Sequence, residues 1–596
     1  MSDTHLGIKI DKTRDALFDS LGLIRLRESY MREDEQSPQE RYAFVANAFG
    51  SNPEHAQRLY DYASKHWLSY STPILSFGRS KRGLPISCFL NYLHDSADGL
   101  VDTLSETNWL SMLGGGVGIH VKIRSVDEKS VGVLPHLRTY DTSCEAYRQG
   151  KTRRGSYAPY LDISHPDILM FVELRKPTGD PRVRCENLHH GINIPNKFME
   201  IIERCMVDKD ANDDWPLIDP ATGNTVQTVS AKELWQRILA IRMHTGEPYL
   251  HFIDTANAAL PVWLKEQGLE IHGSNLCSEI ELPTSKDRTA VCCLSSLNLE
   301  YYDEWKDNYQ FHRDVAEMLD NVLQYFIDNA PDTIARARYS AMRERSIGIG
   351  VLGFHALLQS QMIPFESAIA KSLNMRIFKG IRKHLDRANR ELAVERGEAP
   401  DAAGHGVRFS HLMAIAPTAS SSIIMGNTSP SIEPYKANTY RQDTMSGASF
   451  TRNKFLDRLL RSRVSDEQVE DIWMDINSNE GSVLHLSNEL LSDDEKLVFK
   501  TALEIDQRWI VEFAADRAPE IDQGQSINVF FRPDTHIAYL HTVHFSAWKK
   551  GLKALYYCRS DKIRKADKIS QKLERKIIEE IDMSRVAEGD ECLACQ

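Results

Sequence analysis

The stretch GSNLCSEIELP, residues 273–283, places Asn275, Cys277 and Glu279 at alternate positions. In an extended chain, alternate side chains lie on one face and are separated by about 6.6 to 6.8 Å. An amide, a thiol and a carboxylate would then all contact one small molecule. These residues alone leave open a second interpretation, a polar loop that contains an incidental cysteine. The other cysteines and the rest of the chain decide between the two.

Composition excludes several classes of protein. The chain has 596 residues, of which 42% are hydrophobic and 26% charged, and its net charge is −12. These values are typical of soluble globular proteins, and the acidic balance argues against a general nucleic-acid binder. No stretch approaches the roughly 18 to 20 consecutive apolar residues of a membrane span, and the N-terminus lacks a secretory apolar core. We therefore expect a cytoplasmic protein that binds neither membranes nor nucleic acid.

The pattern along the chain predicts three parts. Residues 1–70 are charged, with apolar residues at helical spacing, and predict a helical N-terminal region. Residues 71–560 alternate short apolar runs with glycine-rich turns and amphipathic helices, which indicates an α/β architecture. Residues 561–596 form a polar tail that ends in ECLACQ.

The cysteines do not form a disulfide scaffold, because ten in so long a chain are too few and a reducing compartment keeps thiols free unless they have a chemical role. Cys592 and Cys595 form a Cys-x-x-Cys pair without the second ligand pair that zinc needs. This favours a dithiol that exchanges with another disulfide, against an incidental pair in a frayed end. Cys88 and Cys292 each lie in a short apolar run, where an inert buried cysteine is common.

The segment APTASSSIIMGNTSP is a candidate anion site. Hydroxyls and free backbone N–H groups at the start of a helix bind phosphate without net positive charge, although the same pattern also describes an ordinary helix cap. A second pattern, GIGVLG at residues 348–353, satisfies a dinucleotide-binding fingerprint. The helix-like stretch RYSAMRERS precedes it where a strand would be required, so we do not expect NAD binding.

Nine short motifs then appear in one order: STPI, SCFL, GGGVGIHV, NLCSE, CLSSLNL, RSIGIGVLGFH, PTASS, LYY and the terminal Cys-x-x-Cys. From about residue 20 to its end, the chain resembles the large, catalytic subunit of class I ribonucleotide reductases. The resemblance implies a ten-stranded α/β barrel with a central fingertip loop that carries Cys277. It also implies reduction of ribonucleoside diphosphates to 2′-deoxyribonucleoside diphosphates.

The resemblance assigns a role to Asn275, Cys277 and Glu279 of the opening stretch and to two further cysteines. Cys277 would become a thiyl radical that abstracts the 3′-hydrogen of the ribose. Glu279 would take the proton of the 3′-hydroxyl as a general base, and Asn275 would hydrogen-bond the same region. Cys88 would protonate the departing 2′-hydroxyl, and Cys88 and Cys292 would then supply two electrons and close a disulfide.

Four residues near the end of the chain complete the implied cycle. Cys592 and Cys595 would reduce the disulfide by exchange, and thioredoxin or glutaredoxin would recharge them. Tyr556 and Tyr557 would pass an electron from Cys277 toward a radical-generating small subunit. A cobalamin-dependent reductase of triphosphates, which does not need the tyrosine pair, is the alternative enzyme, and a catalytically dead nucleotide-binding regulator is a third interpretation. No metal or cofactor is expected on this chain.

Substrate and effector sites follow from the same resemblance. Substrate would be positioned by Thr72, Ser87 and Gly116, and its diphosphate would be held by Thr418, Ala419, Ser420, Ser421 and Ser422. Asp95, Arg124 and Arg153 fall where relatives bind an effector deoxynucleotide at a homodimer interface, although the link after Arg124 lacks the glycine-rich loop of relatives. Only some seventy residues precede Thr72, so we expect no N-terminal activity-regulating domain and no dATP inhibition through one.

Overall fold

The computed structural model describes residues 4–80, 83–147, 155–208, 210–444 and 447–560. Its strands are β1 (Thr4–His5), β2 (Ile8–Lys9), β3 (Leu68–Tyr70), β4 (Cys88–His94), β5 (Gly116–Lys122), β6 (Tyr157–Asp162), β7 (Gly191–Asn193), β8 (Asp214–Ile218), β9 (Thr225–Ser230), β10 (Tyr249–His251), β11 (Ala290–Asn298), β12 (Ile347–Leu352), β13 (Thr439–Thr444), β14 (Gly447–Arg452), β15 (Val529–Phe531), β16 (Ala554–Leu555) and β17 (Cys558–Ser560).

The α-helices are α1 (Ser20–Ser29), α2 (Pro38–Phe49), α3 (Pro53–Ser64), α4 (Thr72–Leu75), α5 (Ala97–Met112), α6 (Val133–Ala146), α7 (Ile168–Val172), α8 (Asn196–Val207), α9 (Ala231–Thr245), α10 (Ile253–Ala258), α11 (Val262–Glu266), α12 (Tyr302–Trp305), α13 (Tyr309–Asn329), α14 (Ala335–Glu344), α15 (Phe354–Ser360), α16 (Ala368–Arg396), α17 (Ala419–Ile424), α18 (Lys454–Arg461), α19 (Asp466–Ser478), α20 (Asp493–Val498), α21 (Gln507–Arg517) and α22 (Ile537–Lys549). Among the described residues, no helix combines the length and the apolar character that crossing a bilayer requires.

The N-terminal region is helical, and its helix starts can be recognised in the sequence. Helix α2 follows Ser37, whose side chain accepts a hydrogen bond from an amide of the first turn, and Pro38 begins the helix. Helix α3 starts in the same way, with Asn52 as the cap and Pro53 as the first residue. Such pairs are strong start signals because the cap satisfies a free amide and proline fixes a helical φ. The predicted helical character of this region is confirmed.

The main sheet contains nine of the described strands, in the order β12-β11-β4-β5-β6-β7-β10-β16, with β3 paired to β11. Strands β4, β5, β6, β7 and β10 are parallel to one another, and β11 is parallel to β12. The two parallel groups meet where β11 runs antiparallel to β4. The expected α/β class is confirmed, and these nine strands form the main sheet.

Burial explains why the strands have few polar positions. All nine residues of β11 are buried, as expected of a strand whose sheet is covered on both faces. Helix α13 packs against α16 and also contacts β11 and β12, and α5 packs against β4. The helices therefore cover the outer face of the sheet, and its inner face is left for other groups.

Two further segments, 411–416 and 523–528, extend the hydrogen bonding beyond β12. Segment 411–416 bonds to β12 and to segment 523–528, and the latter bonds to residues near β16 and β17. Since β16 is also paired with β10, these segments connect the two ends of the main sheet. The backbone donor and acceptor pairs are Ile347 to His411, Ile349 to Leu412, Gln523 to Met413, Ile415 to Gly524, Ser526 to Ile415, Tyr556 to Ile527 and Val529 to Tyr557.

Candidate active site

A group of buried side chains, here called the inner cluster, is separate from the main hydrophobic core. It combines residues of β4, β6, β10 and β11 with segment 411–416, residues 556–557 and the loop 273–283, here called the fingertip loop. Elements from opposite parts of the sheet therefore contact the same loop. The members are Cys88, Leu90, Ala158, Tyr160, Tyr249, Leu276, Cys277, Ile280, Leu282, Ala290, Cys292, Leu294, Ala414, Ala416, Tyr556 and Tyr557.

The fingertip loop contains a turn at residues 276–278, so Asn275, Cys277 and Glu279 do not lie along an extended chain. The amide of Ser278 donates to the carbonyl of Asn275 at 3.3 Å, and Ser278 has a φ of 61°. The Asn275 side-chain oxygen accepts from the amides of Glu279 and Ile280, at 3.0 and 3.2 Å. Asn275 therefore stabilises the turn in which Cys277 lies, in addition to any contact with a ligand.

Two glycines allow the fingertip loop to approach its neighbours. A Cβ on Gly118 of β5 would lie 2.1 Å from the carbonyl oxygen of Ser274 and 2.9 Å from the Cα of Asn275. A Cβ on Gly524 would lie 3.1 Å from the carbonyl oxygen of Glu279. The backbone of the loop thus occupies space that any larger residue at position 118 would fill.

Cys277 is fully buried and lies beside a tyrosine hydroxyl. The Oη of Tyr556 is 3.6 Å from the Cys277 Sγ. The hydroxyl of Ser526 donates to the carbonyl of Cys277 at 2.6 Å and to Glu279 Oε2 at 3.3 Å. Ser526 therefore joins the backbone of the thiol residue to the carboxylate two positions later.

Cys88 and Cys292 lie directly opposite each other, since they are register partners in the antiparallel pairing of β4 with β11. Facing residues in such a pair have Cβ atoms about 4.5 to 5.5 Å apart, close to the spacing that a disulfide spans. Both cysteines are buried and reduced. The Asn275 Nδ2 donates to the Cys88 Sγ at 3.4 Å, which connects this pair to the fingertip loop.

Tyr556 and Tyr557 form a compact group of rings with Tyr249 of β10. The Tyr556 and Tyr557 ring centroids are 4.3 Å apart, and Tyr249 lies 4.8 Å from the first and 5.2 Å from the second. The Oη of Tyr557 is 3.2 Å from the Nδ1 of His189. Burial raises the pKa of Tyr557, so its phenol is neutral at physiological pH.

The residues expected to position substrate lie at two places, one of them beside Cys88 of the inner cluster. Ser87 precedes Cys88, and its backbone carbonyl accepts a hydrogen bond from the Gly116 amide at 2.9 Å. Gly116 is in turn the register partner of Cys88. Thr72 begins α4, and its Oγ1 is 3.2 Å from the Oη of Tyr30. Ser87 and Gly116 thus adjoin Cys88 directly.

The expected diphosphate residues form the start of α17, shortly after segment 411–416. Thr418 precedes the helix with a φ of 49°, and its Oγ1 accepts from the Ser431 amide at 2.7 Å. The hydroxyl of Ser422 donates to the carbonyl of Ala419 at 2.8 Å. Since Ala416 belongs to the inner cluster, this helix start is adjacent to it. Ser420 and Ser421 are buried there as well.

The expected effector residues fall partly outside the described part of the chain. Arg124 pairs with Asp95 at 2.5 Å and with Asp127 at 3.6 Å. The short link after Arg124 folds back on itself through a bridge between Val126 and Val131. Arg153, and likewise Cys592 and Cys595 of the tail, lie outside the described residues.

Four residues that no sequence motif marks also contact the site. Gln523 donates to the Cys292 Sγ at 3.3 Å, Ser526 contacts the fingertip loop, and Tyr249 completes the tyrosine group. Tyr160 donates to the carbonyl of Asn275 at 2.7 Å. The polar run DQGQS at 522–526, which interrupts a buried region, was the available signal for Gln523 and Ser526.

His55, Asp314 and Glu317 form a cluster of metal-ligand type, but they are engaged in a protein network. Arg58 binds both oxygens of Asp314, at 2.7 and 2.9 Å. Ser51 donates to Glu317 at 2.6 Å, and Arg313 and Arg396 also bind that carboxylate. These cations and donors already neutralise the carboxylates, so a structural role in joining α3 to α13 accounts for the cluster.

Comparison with protein families identifies two matching models. The model described as "Ribonucleotide reductase, barrel domain" matches residues 86–403 and 399–558. The model described as "Ribonucleotide reductase, all-alpha domain" matches residues 16–83. Together they span the N-terminal helices, the main sheet and the inner cluster.

Individual relatives agree with the family models. The chain is 54% identical to the ribonucleoside-diphosphate reductase large subunit of Invertebrate iridescent virus 3, over 94% of this chain and 97% of the relative. It is 49% identical to a putative large subunit of Frog virus 3, over 93% and 95%. The Caenorhabditis elegans large subunit is 31% identical, over 92% and 76%. Among solved structures, the Actinobacillus ureae class Id ribonucleotide reductase alpha subunit has a TM-score of 0.80 and 35% identity, over 91% and 97%.

Proposed function

The chain belongs to the class I ribonucleoside-diphosphate reductase large-subunit family, and we propose that it reduces ribonucleoside diphosphates through a thiyl radical on Cys277. The observation that carries this mechanism is the meeting of three functions in the inner cluster. Cys277 is 3.6 Å from the Oη of Tyr556, and Asn275 links the same loop to Cys88, the partner of Cys292. The proposed radical path, hydrogen-abstracting thiol and two-electron donor are thus contiguous.

The proposed architecture is a ten-stranded barrel around the fingertip loop. Its strands would be β4, β5, β6, β7, β10, β11 and β12, segments 411–416 and 523–528, and residues 554–560. The hydrogen bonds that connect the two ends of the main sheet support this closure. The proposed parts are a helical region at 1–70, the barrel at 71–560 and a redox tail at 561–596.

In the proposed radical step, the Cys277 sulfur removes the 3′-hydrogen atom of the ribose and Glu279 accepts the proton of the 3′-hydroxyl. Asn275 holds the same hydroxyl region, and its bonds to the loop amides fix its orientation. Positioning of this kind converts a bimolecular encounter into a reaction within one assembly. Ser526 supports the arrangement because it contacts both Cys277 and Glu279.

In the proposed reductive step, Cys88 protonates the departing 2′-hydroxyl, which leaves as water. Cys88 and Cys292 then give up two electrons and close a disulfide, for which their register pairing is suitable. Cys592 and Cys595 reopen that disulfide by exchange, and thioredoxin or glutaredoxin reduces them in turn. This thiol cycle requires a reducing compartment, and we assign the protein to the cytoplasm.

The proposed radical enters from a separate small subunit, so the chain itself carries no cofactor. Tyr556 and Tyr557 serve as the hopping path to Cys277, and their 4.3 Å ring separation supports that role. Substrate is positioned by Thr72, Ser87 and Gly116, and the diphosphate is held at the start of α17 by residues 418–422. Asp95, Arg124 and Arg153 form an effector site at a homodimer interface.

The test is reduction of CDP, and separately of CTP, by the purified chain under three conditions: with a class I small subunit, with adenosylcobalamin alone, and with neither. We expect dCDP only with the small subunit, and Tyr556→Phe should abolish it because phenylalanine cannot carry the electron hole. Activity with adenosylcobalamin alone would select the cobalamin-dependent alternative. Full activity of Tyr556→Phe would contradict the proposed path.

A further inference from the structure

Gln523 is the polar group in direct contact with one sulfur of the cysteine pair. Its Nε2 lies 3.3 Å from the Cys292 Sγ, and the residue is 1% exposed. The same nitrogen donates to the carbonyl of Ile347 at 3.0 Å, and the side-chain oxygen accepts from the Glu281 amide at 3.4 Å. The amide is therefore held at both ends: one hydrogen is directed at Ile347, and the other faces the Cys292 Sγ and, at 3.4 Å, the Ser346 Oγ.

The neighbours of Gln523 determine the orientation of its amide. If the amide were rotated by half a turn, its oxygen would face the carbonyl oxygen of Ile347 and its nitrogen would face the amide of Glu281, so both contacts would be repulsive. The Gln523 backbone is fixed as well, since its amide donates to Met413 and its carbonyl accepts from the ammonium group of Lys553. The donor thus points at Cys292 without relying on the sulfur to orient it.

Cys292 is enclosed on the side away from Cys88. A Cβ on Gly348 of β12 would lie 3.1 Å from the Cys292 Sγ and 2.5 Å from Leu294, so the sulfur occupies the space that this glycine leaves. Cys88, in contrast, is the first residue of β4 and adjoins Ser87 and Gly116. Both cysteines are fully buried, and β12 closes the Gly348 side of Cys292 to an attacking thiolate.

Reopening the disulfide requires a leaving group. An external thiolate attacks one sulfur, a new S–S bond forms there, and the old bond breaks with its electron pair going to the other sulfur, which departs as a thiolate. The second thiol of the same dithiol then attacks the external sulfur of this mixed disulfide and releases the protein cysteine as a thiolate, so that the dithiol is oxidised and the cysteine pair is reduced. Burial raises the pKa of the Cys292 thiol, and the Gln523 hydrogen bond opposes that rise.

We propose that Gln523 is a positioning residue for reopening of the Cys88–Cys292 disulfide. Its hydrogen bond makes Cys292 the leaving sulfur, so the attacking thiolate is directed to Cys88. The inference rests on the proposed use of the cysteine pair in turnover. A hydrogen bond to a charged group contributes enough to change the rate of reopening by roughly 10- to 100-fold. Asn275 donates to the Cys88 Sγ at 3.4 Å in a similar way, so the choice of leaving sulfur depends on the Gln523 contact together with the enclosure of Cys292 beside Gly348.

The experiment uses the full-length chain with Cys592→Ser and Cys595→Ser, so that the tail cannot exchange. Diamide forms the Cys88–Cys292 disulfide, which is verified by peptide mass spectrometry, and the rate of reopening by dithiothreitol is then measured. We expect Gln523→Met to reopen about 10- to 100-fold more slowly. Gln525→Met is the matched control, because Gln525 is also a buried amide but contacts Arg517 and Ala514 and no sulfur. It should reopen within about twofold of the parent.

A second measurement separates positioning from loosened packing. Reopening by a monothiol is stopped with acid, and the mixed disulfide is located by mass spectrometry. It should lie on Cys88 in the parent, and this preference should be lost in Gln523→Met. If Gln523→Met does not fold, Gln523→Glu gives the same test. The glutamate keeps the size of the side chain, but its ionised carboxylate accepts hydrogen bonds and cannot donate one to Cys292.

Two outcomes would overturn the proposal. One is reopening of the Gln523 variants at the parental rate, and the other is a mixed disulfide on Cys292 in the parent. Both measurements omit CDP and the small subunit, so they remain decisive even if the chain fails to make dCDP. Failure of the proposed function would appear in the CDP assay instead.

Discussion

Gly118→Ala should disable the site without changing any residue that has a chemical role. The added Cβ would lie 2.1 Å from the carbonyl oxygen of Ser274, whereas real contacts of this kind stay beyond 3.0 Å. The fingertip loop must therefore retreat by about 1 Å. A retreat of about 1 Å is enough to break the contact of Cys277 with Tyr556 at 3.6 Å and that of Asn275 with Cys88 at 3.4 Å. A displacement of this size lowers a rate by about 100-fold.

The assay compares the kcat for CDP reduction with thermal unfolding of the same variant. Overpacking of this kind costs about 1 to 3 kcal/mol, so the variant should remain folded while its activity falls about 100-fold. Gly380→Ala in α16 is the matched control, since the nearest atom to its Cβ is Tyr302 Oη at 3.9 Å. It should keep full activity and gain roughly 0.5 to 1 kcal/mol. A Gly118→Ala protein with parental kcat would refute the reasoning that the loop backbone is fixed against β5.

Two further predictions concern buried carboxylates. Burial raises the pKa of Glu344 from 4.5 to about 8, against the opposing effect of Arg288. Between pH 4.5 and about 8 the folded state therefore keeps a proton that the unfolded state has released. The free energy of unfolding falls as the pH rises through this range, by at most about 1.4 kcal/mol per pH unit. Glu344→Gln should flatten this dependence in urea unfolding from pH 5 to 8, and an unchanged slope would contradict it. Asp320 is 1% exposed and binds Arg345 at 2.6 Å, Arg396 at 2.9 Å and Arg408 at 3.1 Å. Asp320→Asn should lower the free energy of unfolding by about 3 to 5 kcal/mol, because it leaves the buried guanidinium of Arg345 without its anion and weakens the pairing of Arg396 and Arg408, and a loss under about 1 kcal/mol would disprove the importance of this network.

Sequence reasoning reached the α/β class, the helical N-terminal region and the strand segments that hold Cys88 and Cys292. It could not pair those two cysteines by local rules, since each lies in an apolar run where an inert thiol is the commoner case. Their relation depends on the register between β4 and β11, which are about two hundred residues apart in sequence. The order of motifs supplied what local pattern could not.

The fingertip loop shows a different limit. Alternation of Asn275, Cys277 and Glu279 suggested an extended chain, whereas the loop turns at residues 276–278. The turn depends on the Asn275 side chain, which binds two amides, and on space left by Gly118 in a distant strand. The turn, and not the alternation along an extended chain, therefore sets the arrangement of these three residues.

Gln523 and Ser526 were missed because their role comes entirely from tertiary contacts. The run DQGQS carries no chemical motif, and segment 523–528 reaches Cys292 and Glu279 only after the chain has returned to the inner cluster. Tyr249 was missed for the same reason, since a single tyrosine in a short strand is ordinary until Tyr556 and Tyr557 pack against it.

The central claim is that the Cys277 sulfur is the atom that oxidises the ribose, and dCDP formation by Cys277→Ser tests it most directly. Serine keeps the size of the side chain, so the variant should show the parental circular dichroism and unfolding temperature. With small subunit, CDP and dithiol present, we predict no dCDP above the level of a reaction without the large subunit. Formation of dCDP by the folded variant at a measurable fraction of the parental rate would contradict the account.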